Sequence, residues 1–148
     1  MPEGLPLNRA MLAARLNDLQ AQLTVLRACA GGAEAAFLQD AQAIRSARYA
    51  FIVLVEAAAA ICAHISARRL GTTPESYGDC FRAMGAAGLL PQELAVRLGA
   101  MARLRNLVVH IYGEVDDARF LHTLREDLGD VDAYVQAIAG LLAEEADR

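Results

Sequence analysis

The sequence predicts an all-α fold, an antiparallel bundle of four core helices with short additional helices, in one domain that spans residues 1–148. Alanine and leucine dominate and aromatic residues make up only 5% of the chain, a composition that favours helices. Apolar residues recur at helical spacing through several long segments. Proline and glycine interrupt the chain between these segments. A chain of 148 residues fits a single domain with a core of its own.

The first predicted helix runs from about Leu7 to Cys29, after Pro6 and before Gly31. Its leucines alternate spacings of four and three residues, a pattern typical of a helix face that packs on a core: Leu12, Leu16, Leu19, Leu23 and Leu26. The gap to the next helix is short, so we expect the two to form an antiparallel hairpin.

A long second helix is predicted from about Ala33 to Arg68, with its end at Gly71. Its expected inward-facing residues are Phe37, Ala41, Ile44, Phe51, Val55, Ala58 and Cys62. The run from Tyr49 to Ile65 is apolar enough to raise the question of a membrane span. It is short for a span and contains Glu56, so a central buried helix is the favoured interpretation and no membrane association is expected.

Four shorter helices are predicted in the rest of the chain. Ser76 and Asp79 resemble a capping box at the start of a helix that reaches about Ala87. The next helix begins at Pro91, and its buried residues are expected to be Leu94, Leu98, Met101, Leu104 and Val108. The last two helices are predicted over about 116–126 and 131–145.

Composition limits the function. The net charge of −4 and the pI near 5.3 argue against a broad basic surface, so no DNA binding is expected, although a local basic pocket is compatible with these values. Cys29, Cys62 and Cys80 form no CxxC pattern and indicate reduced, mostly buried thiols in a cytoplasmic protein. The N-terminus lacks the features of a signal peptide.

The histidines do not form a metal-binding pattern. His64, His110 and His122 are far apart and make no HExxH or HxxxH pair. Neither a metal nor another cofactor is therefore expected. We interpret His64 as a capping or packing residue and His122 as a residue of a helix surface.

The segment 105–113 concentrates polar chemistry in an otherwise apolar chain. Asn106 and His110 are four residues apart and share a helix face, while Arg105 lies about 140° round the helix from His110. Tyr112 follows, just before Gly113, where the helix is expected to end. A cation, a titratable base and a phenol at one helix end suggest a functional site.

Arginine and histidine together suit RNA cleavage. Histidine titrates near neutral pH and can exchange a proton, and arginine fits phosphate oxygens. RNA supplies its own nucleophile, the 2′-hydroxyl, so a base, an acid and a cation suffice without a metal. One chain offers one such histidine. A two-fold homodimer would supply a second, which predicts Arg105 and His110 at its interface.

Glu56 needs a partner, because a carboxylate in an apolar helix costs free energy unless it is paired. One interpretation pairs it with Arg103 or Arg105 on a neighbouring helix. The other places it beside the site, where it supports Arg105 or His110. A further group on the same helix fits either a phosphate-binding patch or a solvated face: Arg45, Arg48 and Tyr49.

The sequence Arg105-Asn106, followed by His110 and Tyr112, resembles the motif of HEPN domains, and specifically that of HepT-like toxins from prokaryotic toxin–antitoxin pairs. Residues 56–58, 74–77, 88–94 and 101–106 are similar to the same family, and the likeness extends over about residues 35–145. The sequence departs from many relatives at three positions: Ala60, Ile111 and Gly113.

The resemblance implies a metal-independent endoribonuclease toxin that acts as a homodimer on RNA. Arg105 and His110 would be its catalytic pair, with Asn106 in support. The partner would be a minimal nucleotidyltransferase antitoxin that silences the nuclease by transferring AMP to Tyr112. Two alternatives stay open: a non-catalytic HEPN module that binds a nucleotide or a nucleotidyltransferase, and a plain helical dimerisation domain in which Arg105 and His110 are buried against each other.

Overall fold

The computed structural model describes residues 4–110 and 115–147 of the chain. Within these ranges the protein is all-α, as predicted, with seven α-helices and one π-helical turn. The α-helices are α1 Arg9–Ala30, α2 Glu34–Leu38, α3 Ala41–Ile65, α4 Tyr77–Ala86, α5 Gln92–His110, α6 Asp117–Glu126 and α7 Gly129–Ala146, and the π-helical turn Ser66–Leu70 continues α3.

Helix α3 is the centre of the bundle and packs against α1, α4 and α5. By length and composition the continuous helical segment Ala41–Leu70 could cross a membrane, since its most apolar window has a mean hydropathy of 2.0. However, 61% of that window is buried inside the protein. This burial is typical of the core helix of a bundle, as the sequence predicted.

The single helix predicted over 33–68 ends at Gly71 as expected, but the structure divides it near its start. The chain breaks before Asp40, whose carboxylate accepts hydrogen bonds from the backbone N–H groups of Gln42 and Ala43 at 3.1 Å each. This side chain caps a new helix, α3, and leaves α2 as a separate short helix. Ala41, predicted to face inward, is therefore exposed in the first turn of α3. At the other end the helix widens into the π-helical turn and stops at Gly71, which has φ +64°.

Helices α4 and α5 approach each other closely through Gly85. A Cβ atom built on Gly85 would lie 2.8 Å from the Cβ of Ala95, which is closer than two carbons can pack. Gly85 is buried in the last turn of α4, where the missing side chain admits α5.

Helix α7 is tied to α3 by Tyr134, which is fully buried. Its hydroxyl donates to the backbone oxygen of Ala58 at 2.8 Å, and its ring packs edge-on against Phe81. Burial raises the pKa of Tyr134 well above its usual value. Ala58 lies within a run of alanines in α3, and these small side chains permit the close contact with α7.

The segment before α1 is fastened to the ends of α3 and α7. The backbone N–H of Leu7 donates to Glu145 at 2.9 Å, and that of Asn8 donates to Nε2 of His64 at 2.9 Å. Burial, together with the nearby charge of Arg68, lowers the pKa of His64, while Glu145 acts in the opposite direction. The predicted capping or packing role of His64 is confirmed.

Candidate functional site

Arg105 lies on the side of α5 that faces α3 and α4, with only 15% of its side chain exposed. Its Nη2 atom donates to Oε1 of Glu56 at 2.7 Å. Its Cζ atom lies 5.3 Å from the centroid of the Tyr77 ring. A carboxylate from α3 and an aromatic face from α4 therefore hold the guanidinium from two directions.

The predicted pairing of Glu56 is confirmed, with Arg105 and not Arg103 as its partner. The Glu56 side chain is 47% exposed, so water screens part of the attraction. The ion pair nonetheless explains how a carboxylate is tolerated in an apolar helix. It also places Glu56 next to the candidate catalytic arginine.

Asn106 lies beside Arg105 at the surface. Its Oδ1 atom accepts a hydrogen bond from Nη1 of Arg105 at 3.1 Å. Asn106 and His110 are both exposed, in agreement with a shared face of α5. The side chain of Asn106 thus occupies the solvent side of the guanidinium.

His110 is the last residue of α5 and is exposed. It follows Arg105 by five residues, about 7.5 Å along the helix axis. The structure therefore brings Arg105, Asn106 and Glu56 into contact and places His110 further along the same helix. The dimerisation-domain alternative requires Arg105 and His110 to be buried against each other. The described residues contradict it, because His110 is exposed.

Tyr112, the predicted modification site, lies outside the described residues, as do Ile111 and Gly113. The structure gives no account of these positions. The prediction for Tyr112 therefore stays a prediction.

Tyr77 is the contact that sequence reasoning missed. It is the first residue of α4, immediately after Ser76, whose side chain accepts a hydrogen bond from the N–H of Asp79 at 3.1 Å. This capping pattern locates the helix start in the sequence. It cannot show which residue of α5 the ring meets, because that depends on how α4 packs against α5.

A groove of about 440 Å³ runs between α5 and α6. Its polar lining combines three arginines with three aspartates: Arg97, Arg103, Arg119, Asp116, Asp127 and Asp130. One pair is already bonded, with Nε of Arg97 at 2.9 Å from Asp130. Arg105 and His110 are not among the lining residues. The groove is thus of mixed charge and separate from the contacts of Arg105.

Arg45, Arg48 and Tyr49, the possible phosphate-binding patch on α3, do not have the same surroundings. Nη2 of Arg48 donates to Oδ1 of Asp117 at 2.6 Å, across to the start of α6. Arg45 is exposed, and so is Tyr49, at 69%. Arg48 is therefore an anchor between helices, while Arg45 and Tyr49 form a solvated face.

The cysteines and His122 lie outside the contacts of Arg105. Cys62 and Cys80 are buried free thiols, as predicted, and the hydrogen bond with Cys80, together with burial, raises the pKa of Cys62. Cys29 is partly buried and His122 is exposed. Within residues 4–110 and 115–147, no group of three or more His, Cys, Asp or Glu side chains is placed to hold a metal ion.

The family profile described as ribonuclease HepT-like matches residues 19–138, most of the chain. The chain belongs to the ribonuclease HepT-like family. This HepT-like chain is also similar to a curated protein, the mRNA nuclease HepT of Shewanella oneidensis, with 30% identity over 83 residues. That match covers 56% of the chain and 62% of the relative, so the chain spans about three-fifths of the curated protein.

Solved structures share the fold of this HepT-like chain. One is a tri-AMPylated Shewanella oneidensis HEPN toxin in complex with an MNT antitoxin, with a TM-score of 0.83 and 23% identity, covering 88% of this chain and 97% of the other. Another is a toxin–antitoxin with AMP-PNP, with a TM-score of 0.84 and 22% identity, covering 89% and 99%. The predicted family and HEPN fold are confirmed.

Proposed function

We propose that this chain is an endoribonuclease toxin that cleaves RNA with Arg105 and His110 at the interface of a homodimer. The observation that carries the proposal is the arrangement on α5, where a firmly held guanidinium is followed by an exposed histidine at the helix end. Membership of the ribonuclease HepT-like family supports it. Arg105 supplies a permanent charge for a phosphate, and His110 supplies a proton acceptor or donor.

The reaction needs no nucleophile from the protein. His110 of one protomer removes the proton of the 2′-hydroxyl, and the resulting oxygen attacks the adjacent phosphorus. The bond from phosphorus to the 5′-oxygen breaks, and the same histidine of the second protomer gives that oxygen a proton. Arg105 stabilises the charge that develops on the phosphate oxygens. The products are a 2′,3′-cyclic phosphate and a 5′-hydroxyl end.

The outer face of α5 supports the homodimer. Val96 and Leu107 are 62% and 46% exposed, unusually open for apolar side chains. Ala100 and Arg103, both exposed, lie between them at spacings of four, three and four residues, which defines one stripe along the helix. His110 follows three residues later. Pairing of this stripe with a second copy would bury its apolar residues and bring two histidines near the two-fold axis. Arg105 lies about 180° round α5 from the stripe, so its guanidinium would contribute from the edge of this interface.

The test is cleavage of a labelled single-stranded RNA of mixed sequence by the purified protein in the presence of a chelator. We expect His110→Ala to reduce the rate by about 100-fold or more, with cyclic phosphate ends on the wild-type products. His122→Ala, which changes an exposed histidine on α6, is the matched control and should cleave normally. Retained cleavage after His110→Ala would overturn the assigned mechanism.

We further propose that a minimal nucleotidyltransferase antitoxin silences the toxin by AMP transfer to Tyr112. The relative whose solved structure is a tri-AMPylated toxin in complex with an MNT antitoxin supports this. The phenol oxygen would attack the α-phosphorus of ATP, pyrophosphate would leave, and the phenolic proton would pass to a base. The added phosphate brings negative charge to the motif, where it opposes binding of RNA.

Intact mass of the protein, co-expressed with a nucleotidyltransferase from a neighbouring reading frame, tests the modification. We expect a mass increase by one or more AMP groups and a loss of that increase in Tyr112→Phe. An unchanged mass shift in Tyr112→Phe would place the modification elsewhere.

One observation favours the second candidate, a non-catalytic HEPN module that binds a nucleotide or a nucleotidyltransferase. Glu56 already neutralises Arg105, in a chain with a net charge of −4. Expression of the chain alone separates the two functions. Growth arrest that depends on His110 supports the toxin, whereas normal growth together with tight partner binding supports the non-catalytic module.

A further inference from the structure

Tyr77 covers one side of the guanidinium of Arg105, at 5.3 Å from its ring centroid to Cζ. We propose that Tyr77 is a positioning residue that keeps Arg105 oriented when a phosphate of RNA binds. This proposal rests on the ribonuclease function proposed above. It assigns to α4 a part in a site whose residues Arg105, Asn106 and His110 all lie on α5.

The contacts of Arg105 differ in how easily a ligand can replace them. Nη1 and Nη2 bond to Asn106 and Glu56, whose side chains reach the solvent. A phosphate offers the same kind of oxygen acceptors and can take over both bonds. The ring of Tyr77 makes no hydrogen bond with the guanidinium, so a phosphate does not compete for its face. Tyr77 is therefore the contact that persists in the bound state.

The Nε atom of Arg105 is closed to solvent. It has no hydrogen-bond partner among the described residues. Only the two Nη atoms are thus available to a ligand. The ring at 5.3 Å from Cζ limits how the guanidinium can move and helps to keep these two atoms where they meet Asn106 and Glu56.

The backbone on both sides of Tyr77 is held in place. Ser76 caps α4 at the residue before Tyr77. The residue after it, Gly78, lies close to Gly99 of α5, because a Cβ atom on Gly99 would be 4.0 Å from the Cα of Gly78. This short separation of the two helices holds the ring against Arg105, six residues or about one and two-thirds turns further along α5.

Steady-state cleavage of the labelled RNA by two variants tests the proposal. Tyr77→Phe keeps the aromatic face, and we expect its kcat to stay within about two-fold of the wild type. Tyr77→Leu keeps an apolar side chain without that face, and we expect kcat to fall about ten-fold with little change in KM. Wild-type kcat in Tyr77→Leu, or an equal loss in both variants, would overturn the proposal.

A second measurement does not depend on activity. The NMR signal of the Arg105 Nε–H group, assigned with Arg105→Lys, should carry a ring-current shift in the wild type and in Tyr77→Phe but not in Tyr77→Leu. Loss of the shift in Tyr77→Phe, or its persistence in Tyr77→Leu, would contradict the positioning role. If the wild type cleaves no RNA, the proposed function fails, while this shift still decides how Arg105 is held. Thermal unfolding confirms that each variant is folded.

Discussion

Arg105 donates from Nη2 to Oε1 of Glu56 at 2.7 Å, so the candidate catalytic cation is already paired with a carboxylate in the free protein. The arginine is nearly buried and the glutamate is half exposed. A phosphate that binds Arg105 must therefore displace or approach a negative charge. This relationship makes Glu56 a residue that both orients the arginine and opposes the substrate.

Substitution of Glu56 should separate these two effects. Glu56→Gln keeps an oxygen acceptor for Arg105 but removes the charge, so we expect KM for RNA to fall by about three- to ten-fold at low salt. Glu56→Ala removes the orienting contact as well, and we expect kcat to decrease. Both constants are measured by RNA cleavage at low and at high salt, where the KM difference should shrink.

The control for Glu56 is Asp18→Asn, because Asp18 pairs with Arg15 on the exposed surface of α1. It removes one negative charge from the protein away from Arg105. A fall in KM as large as that of Glu56→Gln would show that net charge alone explains the effect. A rise in KM in Glu56→Gln would contradict the competition between Glu56 and phosphate.

The Arg48–Asp117 pair should stabilise the junction between α3 and α6. Its atoms are 2.6 Å apart and its side chains are 28% and 27% exposed, so we expect a coupling energy of about 0.5–1 kcal/mol. A double-mutant cycle with Arg48→Met and Asp117→Asn, measured by urea unfolding, gives that energy. The exposed Arg15–Asp18 pair of α1 should give a smaller value, and an equal value would contradict the special role of the junction.

The sequence predicts the bundle well, because each helix depends mainly on its own spacing of apolar residues. The leucine face of α1 illustrates this, since Leu12, Leu19, Leu23 and Leu26 are all buried. The break before Asp40 was missed because an aspartate on a helix surface and an aspartate that caps a helix look alike in sequence. Only the bonds from Asp40 to the backbone distinguish them.

The sequence predicted the residues of the candidate site that share one helix, but not the contacts that other helices make with them. Arg105, Asn106 and His110 belong to one helix, so their spacing alone groups them. Glu56 was expected to need a partner, but its sequence position left two arginines open. Tyr77 was not expected near Arg105 at all, because the contact results from the packing of α4 on α5.

Stability should fall on mild acidification because of His64. The backbone N–H of Asn8 donates to its Nε2 atom, which can accept only while the ring is neutral. Burial lowers the pKa of His64 below its ordinary value of 6.5. The contribution is therefore complete above pH 6.5 and is lost as the pH falls through the lowered pKa in the folded state.

Thermal unfolding of the wild type and His64→Ala between about pH 5 and 8 measures this contribution. We expect His64→Ala to lower Tm at pH 8 and to flatten the decline of Tm toward pH 5. His122→Ala, which removes an exposed histidine, should keep the wild-type profile. A decline that is equally steep in His64→Ala would assign the pH dependence to other groups.

Gly85→Ala should destabilise the protein although alanine favours a helix. The added methyl group would lie 2.8 Å from the Cβ of Ala95 and force α4 away from α5. Overpacking of this kind costs about 1–3 kcal/mol, against a gain in helix propensity of about 1 kcal/mol. We expect a net loss of up to about 2 kcal/mol in urea unfolding, and partial recovery when Ala95→Gly is added. Gly140→Ala is the control, since its site on α7 is open and exposed and the substitution should stabilise the protein. Equal stabilisation by Gly85→Ala would show that α4 and α5 can separate without cost.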